Sequence, residues 1–150
     1  MNAIRILIAM DGTDASSSAA AAARQLFGND NVEYLAINVV RPIVVAGASE
    51  VGFGAVYPMG VEDSRVGMAD ADVRAAARAA GIDDAEVLAE VGEPASAIIE
   101  AAATHGVDVI VVGAGHRGFF SRLFEPSVSE GVTRRATVPV LVVPEPEPPS

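Results

Sequence analysis

Short apolar runs alternate along the chain with longer stretches in which alanine and other apolar residues recur at helical spacing. Such an alternation is typical of βαβ units and predicts an α/β protein with a parallel sheet. The apolar runs predict five strands, at Arg5 to Met10, Val32 to Val40, Glu86 to Val91, Val107 to Val112 and Val140 to Val143. The helical stretches predict four helices, at about Asp14 to Phe27, Glu62 to Ala80, Pro94 to His105 and Val128 to Ala136.

The ends of these helices carry residues that ordinarily start or stop a helix. Gly28 and Gly81 follow the first and second helices, where glycine adopts a left-handed backbone at little cost. Pro94 is well tolerated in a first helical turn. Ser127 and Glu130 have the spacing of a capping box, in which each side chain accepts a hydrogen bond from a backbone N–H of the first turn. These signals support the predicted helix boundaries.

Two segments lack a regular pattern. Residues 41 to 61 contain prolines and glycines without a helical or strand period, so they predict a long connection. Residues 144 to 150 are rich in proline and glutamate and predict an extended, solvated tail. The expected organisation is therefore a single domain over residues 1 to 143, followed by an acidic tail.

The composition restricts the classes of function. A chain of 150 residues that is 51% hydrophobic and 20% charged can bury a sizeable core. Its net charge of -10 argues against binding to nucleic acid or to an anionic membrane surface. Every basic residue is arginine, which excludes the lysine of a Walker A loop and Schiff-base chemistry. Cysteine is absent, which excludes disulfides, thiol nucleophiles and cysteine metal sites.

Further features bear on the cellular setting. The apolar start ends at Asp11, which makes it too short for a secretory signal, and no stretch approaches the roughly 20 apolar residues of a membrane helix. We therefore expect a soluble cytoplasmic protein. Acidity without lysine fits either a salty cytosol or a GC-rich genome, and the sequence leaves both explanations open.

A glycine-rich loop follows the fourth predicted strand. Gly113, Gly115 and Gly118 spell Gly-x-Gly-x-x-Gly. A dinucleotide-binding fingerprint, however, follows the first strand of its unit, opens directly into a helix, and has an acidic residue about 20 positions later. None of these conditions holds here, so we interpret the loop as a different kind of site.

In open α/β sheets, ligands bind beyond the carboxyl ends of the strands, where the winding direction reverses. If the first and fourth strands are neighbours at that reversal, Asp11-Gly12-Thr13 and the loop from Gly113 face the same crevice. The N–H groups of Val128 and Ser129, at the positive end of the fourth helix, would then offer a place for an anion. This interpretation predicts a binding site for a phosphate-bearing ligand.

Four stretches of this chain resemble the universal stress protein family, and the resemblance covers nearly the whole sequence. They are "ILIAMDGTDASSSA", "LAINVV", "GEPASAIIEAAATHGVDVIVVG" and "SRLFEPSVSEGVTRRATVPVLVV". The resemblance implies a five-stranded parallel open sheet in the order 3-2-1-4-5 with helices on both faces, an adenine nucleotide alpha-hydrolase-like fold. It also implies a homodimer through the fifth strand, here Val138 to Val143, and in many members an ATP or AMP site, with Mg only where ATP is bound.

The same resemblance assigns roles to single residues. Asp11 matches the family aspartate that meets the adenosine moiety, and Val39 matches the residue whose backbone meets adenine. The family phosphate loop reads Gly-x-x-Gly, nine residues, then Gly-Ser or Gly-Thr. Laid on this chain, it places His116 and Pro126 at two of the glycine positions. A side chain then intrudes and a backbone donor is lost. A branch of the family without the glycine loop, thought not to hold ATP, shows some likeness to "GHRGFFSRL".

Several candidates keep two interpretations. Asp11 is either a nucleotide contact or a turn residue that caps the first helix, and Ser127 is either a helix cap or a phosphate ligand. His116 and Arg117 either offer charge to a phosphate or form an exposed loop pair. His105 is expected to be structural, and two histidines far apart without cysteine predict no metal site. The candidate nucleotide-binding residues are Asp11, Gly12, Val39, Gly113, Gly115, His116, Arg117, Ser127, Val128 and Ser129.

Three functional hypotheses result. The first is a dimeric stress-response module with a degenerate adenine-nucleotide crevice and no catalysis. The second is a working ATP or AMP binder that uses the loop after the fourth strand, with slow ATP hydrolysis at most. The third is a module that binds an unidentified protein partner through residues 41 to 61 and the acidic tail. No catalytic base or metal constellation is evident, which argues against a dedicated enzyme.

Overall fold

A computed structural model describes residues 2–40, 70–114 and 128–145. The described residues form five strands: β1 (Ile4–Ala9), β2 (Val32–Val40), β3 (Glu86–Val91), β4 (Val109–Gly113) and β5 (Val140–Val143). They also form four helical segments: α1 (Asp14–Phe27), α2 (residues 70–79), α3 (Pro94–Thr104) and α4 (Val128–Arg135).

The strands make one parallel sheet in the order β3-β2-β1-β4-β5. Both the parallel pairing and the strand order are the expected ones. The chain winds outward from β1 to β3 and then crosses back to β4, so the direction of winding reverses between β1 and β4. This confirms that the first and fourth strands are neighbours at the reversal.

Each face of the sheet has its own core, because successive side chains of a strand point to opposite faces. On one face, Ile6 and Ile8 pack with buried alanines of α1, such as Ala20, and with Val73 of α2. On the other face, the core is formed by Leu7, Leu35, Ile98 of α3, Val132 of α4 and their neighbours. Helices therefore cover both faces of the sheet, as predicted.

Alanine determines how closely α1 approaches the sheet. The buried residues of α1 are small: Ala15, Ser16, Ala19, Ala20 and Ala23. Short side chains let the helix axis lie close to the strands, so backbone atoms of the two elements come into contact. The end of α1 is fixed by Tyr34 of β2, whose hydroxyl donates to the carbonyl oxygen of Gly28 and lies 3.4 Å from that of Ala23.

The predicted element boundaries hold with two notable shifts. β1 covers Ile4–Ala9 instead of Arg5 to Met10, although the amide of Met10 still donates to Ile37. β4 starts at Val109 instead of Val107, because Val107 and Asp108 close the turn after α3. There the Val107 amide donates to Ala102, and the Asp108 amide donates to Arg5.

Some predictions lie outside the described residues: the connection at 41 to 61, the start of the second helix, the Ser127 cap and the tail from residue 146. Over the described part of the chain, no helix has the length and apolar character needed to cross a membrane.

Candidate functional site

The carboxyl ends of β1 and β4 lie side by side at one edge of the sheet. The two strands pair in parallel up to Ile8 and Val111, so the residues after them leave the sheet at the same edge. These residues are the segment Asp11 to Thr13, which leads into α1, and Gly113 with Ala114, which end β4. The structure thus brings Asp11, Gly12 and Gly113 to one edge, as the crevice interpretation requires.

Asp11 is exposed and its carboxylate closes the turn between β1 and α1. Its Oδ1 accepts hydrogen bonds from the Thr13 amide, at 3.0 Å, and from the Thr13 hydroxyl. The Asp11 amide donates to the Ser16 hydroxyl at 3.3 Å. Asp11 therefore holds the turn before α1, whereas the N-cap of the helix is Thr13 and not Asp11.

The first turn of α1 is held by a second set of hydrogen bonds. Thr13 is the N-cap, and its hydroxyl accepts from the Ser16 amide at 3.3 Å. The buried Ser16 hydroxyl donates to the Thr13 carbonyl at 3.0 Å. Gly12 has φ +83°, a conformation that favours glycine. The turn between β1 and α1 is consequently held by hydrogen bonds within the chain.

Gly113 has a packing role that the sequence analysis did not foresee. A Cβ atom at this position would lie 2.6 Å from the carbonyl oxygen of Ala15, which belongs to the first turn of α1. Any side chain would therefore force β4 and α1 apart. Beyond Gly113, the Ala114 amide donates to Val143 at 2.8 Å and extends the β4–β5 pairing by one residue.

The other described candidates lie on neighbouring elements. Val39 sits near the carboxyl end of β2, in register with Glu90, and its half-buried side chain packs into the core beneath α3 and α4. The contact between the Val39 backbone and adenine, which the family resemblance implies, stays a prediction. Val128 and Ser129 begin α4, and Val128 packs against the same core. Gly115, His116, Arg117 and Ser127 lie outside the described residues.

A polar cluster between α3 and α4, which we call the Arg135 clasp, was missed by the sequence analysis. It consists of Glu93, Ser96 and Arg135. Glu93 is the N-cap of α3, and its carboxylate accepts from the amides of Ala95, at 3.3 Å, and Ser96, at 2.7 Å. Arg135 of α4 donates to the Glu93 carboxylate at 3.3 Å and to the Ser96 hydroxyl at 3.0 Å.

The clasp keeps Glu93 ionised to low pH. Hydrogen bonds from the Ser96 side chain and backbone, and further ones from Arg135 and the Ala95 amide, lower the pKa of Glu93 to about 2. The only sequence signal for this cluster was an acidic residue directly before Pro94 at a predicted helix start. That signal indicates a cap, but it does not reveal a partner 42 positions away.

A cavity of about 360 Å³ lies at the opposite edge of the sheet, near the starts of β2 and β3. Its lining includes the carboxylates of Glu33, Asp83, Asp84 and Glu86. Glu33 is paired with Arg5 at 2.8 Å, but the remaining acidic residues repel a phosphate group, so this cavity does not suit a nucleotide. Among the described residues, no three His, Cys, Asp or Glu side chains are grouped so that they could hold a metal ion.

Comparisons with known proteins agree on the kind of chain this is. The model of the universal stress protein family matches residues 4–144. Universal stress protein YxiE of Bacillus subtilis is 32% identical over 147 residues, which cover 93% of this chain and 97% of the relative.

Solved structures share the fold at lower identity. Universal stress protein UspA from Lactobacillus plantarum matches with a TM-score of 0.71 and 20% identity, over 95% of this chain and 99% of that one. A universal stress protein in complex with cAMP matches with a TM-score of 0.66 and 24% identity, over 97% of this chain and 100% of that one.

Proposed function

This chain belongs to the universal stress protein family, and on that premise we propose that it is a dimeric, non-catalytic stress-response module with a degenerate adenine-nucleotide crevice. The crevice lies at the carboxyl ends of β1 and β4. The observation that carries the proposal is the fixed turn from Asp11 to Ser16 beside Gly113, at the point where the sheet reverses its winding. We place the protein in the cytoplasm.

An adenine nucleotide is the ligand class that fits this edge best. Asp11 offers an exposed carboxylate whose orientation is already fixed by Thr13, which suits hydrogen-bond donors of an adenosine moiety. The amino end of α4 offers positive potential to a phosphate. The solved relative in complex with cAMP supports the same ligand class.

Two residues argue that binding is weak. His116 brings a side chain, and Pro126 removes an N–H donor, at positions where family members with ATP carry glycine. A lost hydrogen bond to a charged phosphate costs about 1.5 to 3 kcal/mol, or roughly 10- to 150-fold in affinity. Two defects of this size, one lost donor and one intruding side chain, would take a micromolar site to millimolar.

The second candidate is a working ATP or AMP binder, and the relative in complex with cAMP favours it. In that case His116, Arg117 and the amino end of α4, at Val128 and Ser129, replace the missing glycine-loop donors. Mg would accompany ATP only, and hydrolysis would be slow.

Calorimetric titration with ATP, AMP and cAMP distinguishes the two candidates. We expect millimolar or undetectable ATP binding to the unaltered protein and tighter binding after the double change His116→Gly and Pro126→Gly. In that background Asp11→Asn should weaken binding, since it removes the charge but keeps an oxygen for Thr13. Asp14→Asn, in the same turn, is the matched control. A low-micromolar dissociation constant for the unaltered protein would replace the first candidate with the second.

The dimer is proposed to form through β5. β5 lies at the edge of the sheet, and its residue Val142 is 39% exposed. An apolar edge strand is an aggregation hazard unless it is paired, so we propose antiparallel pairing of Val138 to Val143 with a second copy. A partner of another kind, bound through residues 41 to 61 and the tail, stays a hypothesis, since residues 41 to 61 and 146 to 150 lie outside the described part of the chain.

Light scattering after size-exclusion chromatography tests the dimer at micromolar concentration. Val142→Lys should give monomers or insoluble protein without altering the core. Leu141→Lys is a less clean probe, because Leu141 packs against the buried residues beneath α1. Val91→Lys serves as the control, since Val91 is exposed on β3, the opposite edge strand. A monomeric unaltered protein contradicts the proposal.

A further inference from the structure

α4 is held to the rest of the protein by few buried groups. It has 8 residues, and Val132 is its one fully buried side chain. By comparison, α3 buries five residues along its 11. Burial of apolar side chains is the main source of the free energy that holds a helix against its neighbours. α4 buries fewer side chains than α3 and is therefore held less strongly by burial.

Close packing of α4 on α3 depends on a glycine. A Cβ atom at Gly131 would lie 2.8 Å from the Cβ of Ala95, so the helices touch where both residues are small. The Arg135 clasp lies next to this contact and links one end of α4 to the first turn of α3. The clasp side chains are largely exposed, at 49% for Arg135 and 59% for Glu93.

The carboxyl end of α4 leads directly into the sheet. After Arg135 the chain enters β5, which pairs with β4 from Val140 onward, and the Pro139 carbonyl accepts from the Ile110 amide at 3.0 Å. This ladder remains when α4 leaves α3. Residues 136 to 138 are therefore the place where the backbone must bend if α4 moves as a unit.

We propose that α4 opens from α3 as a unit, bending at residues 136 to 138, and that the Arg135 clasp holds it closed. Opening exposes Val132, the packed part of Val128 and the Gly131–Ala95 contact, and it breaks the hydrogen bonds of the clasp, whose charged side chains are largely exposed. The motion carries Val128 and Ser129, at the amino end of α4, away from the edge of the sheet. This inference concerns the ligand-free protein and does not depend on nucleotide binding.

Amide hydrogen exchange measured by NMR on the full chain without ligand tests the inference, since exchange reports local opening separately from global unfolding. In the unaltered protein, we expect the amides of α4, and that of Ala136, which donates to the Val132 carbonyl, to exchange faster than buried amides of α1 and β4. Arg135→Ala should speed exchange in α4 by about two- to fivefold, the range for loss of an exposed ion pair, and leave α1 unchanged.

Three variants separate the clasp from general effects. Arg134→Ala makes the same change of charge on the same helix and should leave α4 exchange unchanged. Arg135→Lys keeps the charge but cannot reproduce the guanidinium hydrogen bonds to both Ser96 and Glu93, so it should retain only part of the protection. Glu93→Ser keeps a capping oxygen for α3 and should speed exchange in α4 alone.

Specific outcomes overturn the inference. If the α4 amides of the unaltered protein exchange as slowly as those of β4, α4 opens only with global unfolding and the proposal is wrong. It is equally wrong if Arg134→Ala and Arg135→Ala have the same effect. None of these readouts uses a nucleotide, so failure of the proposed crevice to bind ATP leaves this test unaffected.

Discussion

α1 and α4 both begin at the carboxyl edge of the sheet, but they are held there by different kinds of contact. α1 buries five residues, is capped by Thr13 and touches the backbone of Gly113. α4 buries Val132 and is tied through the exposed Arg135 clasp. One side of the proposed crevice therefore has its geometry fixed by close packing, and the other by polar contacts that solvent can weaken.

The difference originates in the sequences of the two helices. α1 contains a run of alanines, "AAAAA", so small side chains face both the sheet and α2. α4 reads "VSEGVTRR", and its apolar positions are few. A short helix of this kind has too little apolar surface to dock by burial alone, so contacts from side chains at its ends become decisive.

The largest expected effect comes from adding a methyl group where α1 meets β4. Gly113→Ala would place a Cβ 2.6 Å from the Ala15 carbonyl, and neither backbone can move without disturbing the sheet or the helix. We expect a loss of about 2 to 4 kcal/mol in the free energy of unfolding. Urea denaturation followed by circular dichroism measures it.

Gly12→Ala is the control for Gly113→Ala. A Cβ at Gly12 meets no atom within 4 Å, but the residue has φ +83°. The expected cost is therefore only the conformational one, about 1 kcal/mol. If Gly113→Ala costs no more than Gly12→Ala, α1 and β4 are not in close contact and the contrast between the two helices fails.

A smaller effect is expected from the same substitution in α4. Gly131→Ala gains about 1 kcal/mol of helix propensity but brings a methyl group within 2.8 Å of the Ala95 Cβ. Because α4 is loosely docked, we expect it to shift, with global stability changed by less than about 1 kcal/mol. Amide exchange in α4 should become faster, although the isolated helix is improved.

Ala95→Gly in the Gly131→Ala background supplies the check. It removes the overlapping methyl group and should restore slow exchange in α4, whereas α1 should show no response to either change. If α4 amides exchange more slowly in the single variant Gly131→Ala, the gain in helix propensity is larger than the cost of the overlap with Ala95. The position of α4 would then not depend on the close contact between Gly131 and Ala95.

The sequence predicted the layers of the fold better than the contacts between them. The bounds of α1, β2, β3 and β5 agree with the structure, because burial imposes periods of 3.6 and 2 that are visible in one dimension. The start of β4 was predicted two residues early, because Val107 and Asp108 directly precede the apolar run Val109 to Val112 and were counted with it. Their amides instead bond to α3 and β1.

The candidate site was only partly predictable. The turn at Asp11 and its place beside β4 follow from the sheet rule for ligand sites, which requires no side-chain detail. The packing role of Gly113 does not follow, because the approach of Ala15 is a distance between two segments far apart in the chain. Arg135 likewise meets Glu93 through tertiary structure, and neither residue belongs to a pattern that links them.

The pH dependence of stability sharpens the contrast on the side of α4. The pKa of Glu93 is lowered to about 2 in the folded protein, against an ordinary value of 4.5. Its contribution is therefore fully present above about pH 4.5 and is lost as the pH falls through about 2. Because the side chain is largely exposed, solvent screening limits this contribution to a few tenths of a kcal/mol up to about 1 kcal/mol.

Glu93→Gln tests this dependence by urea denaturation at neutral pH and near about pH 2. We expect the variant to be less stable at neutral pH and the difference to shrink at low pH, where Glu93 becomes protonated. Glu100→Gln, the same change on the exposed face of α3, is the control. A difference between Glu93→Gln and the unaltered protein that does not vary with pH would contradict the assigned role.

Salt is expected to have the smallest effect. It also gives the most direct comparison of the two helices. A net charge of -10 repels itself, and screening relieves this repulsion, so KCl at about 1 M should raise the thermal midpoint of the whole protein. The same screening weakens the exposed pair between Arg135 and Glu93 by a few tenths of a kcal/mol. Exchange in α4 should therefore become faster relative to α1 in the same salt that stabilises the fold.

Thermal melts and amide exchange in low and molar KCl measure the two responses separately. If both regions gain protection together, the clasp contributes less than the general repulsion does. An unchanged midpoint would instead favour a GC-rich genome as the reason that lysine is absent.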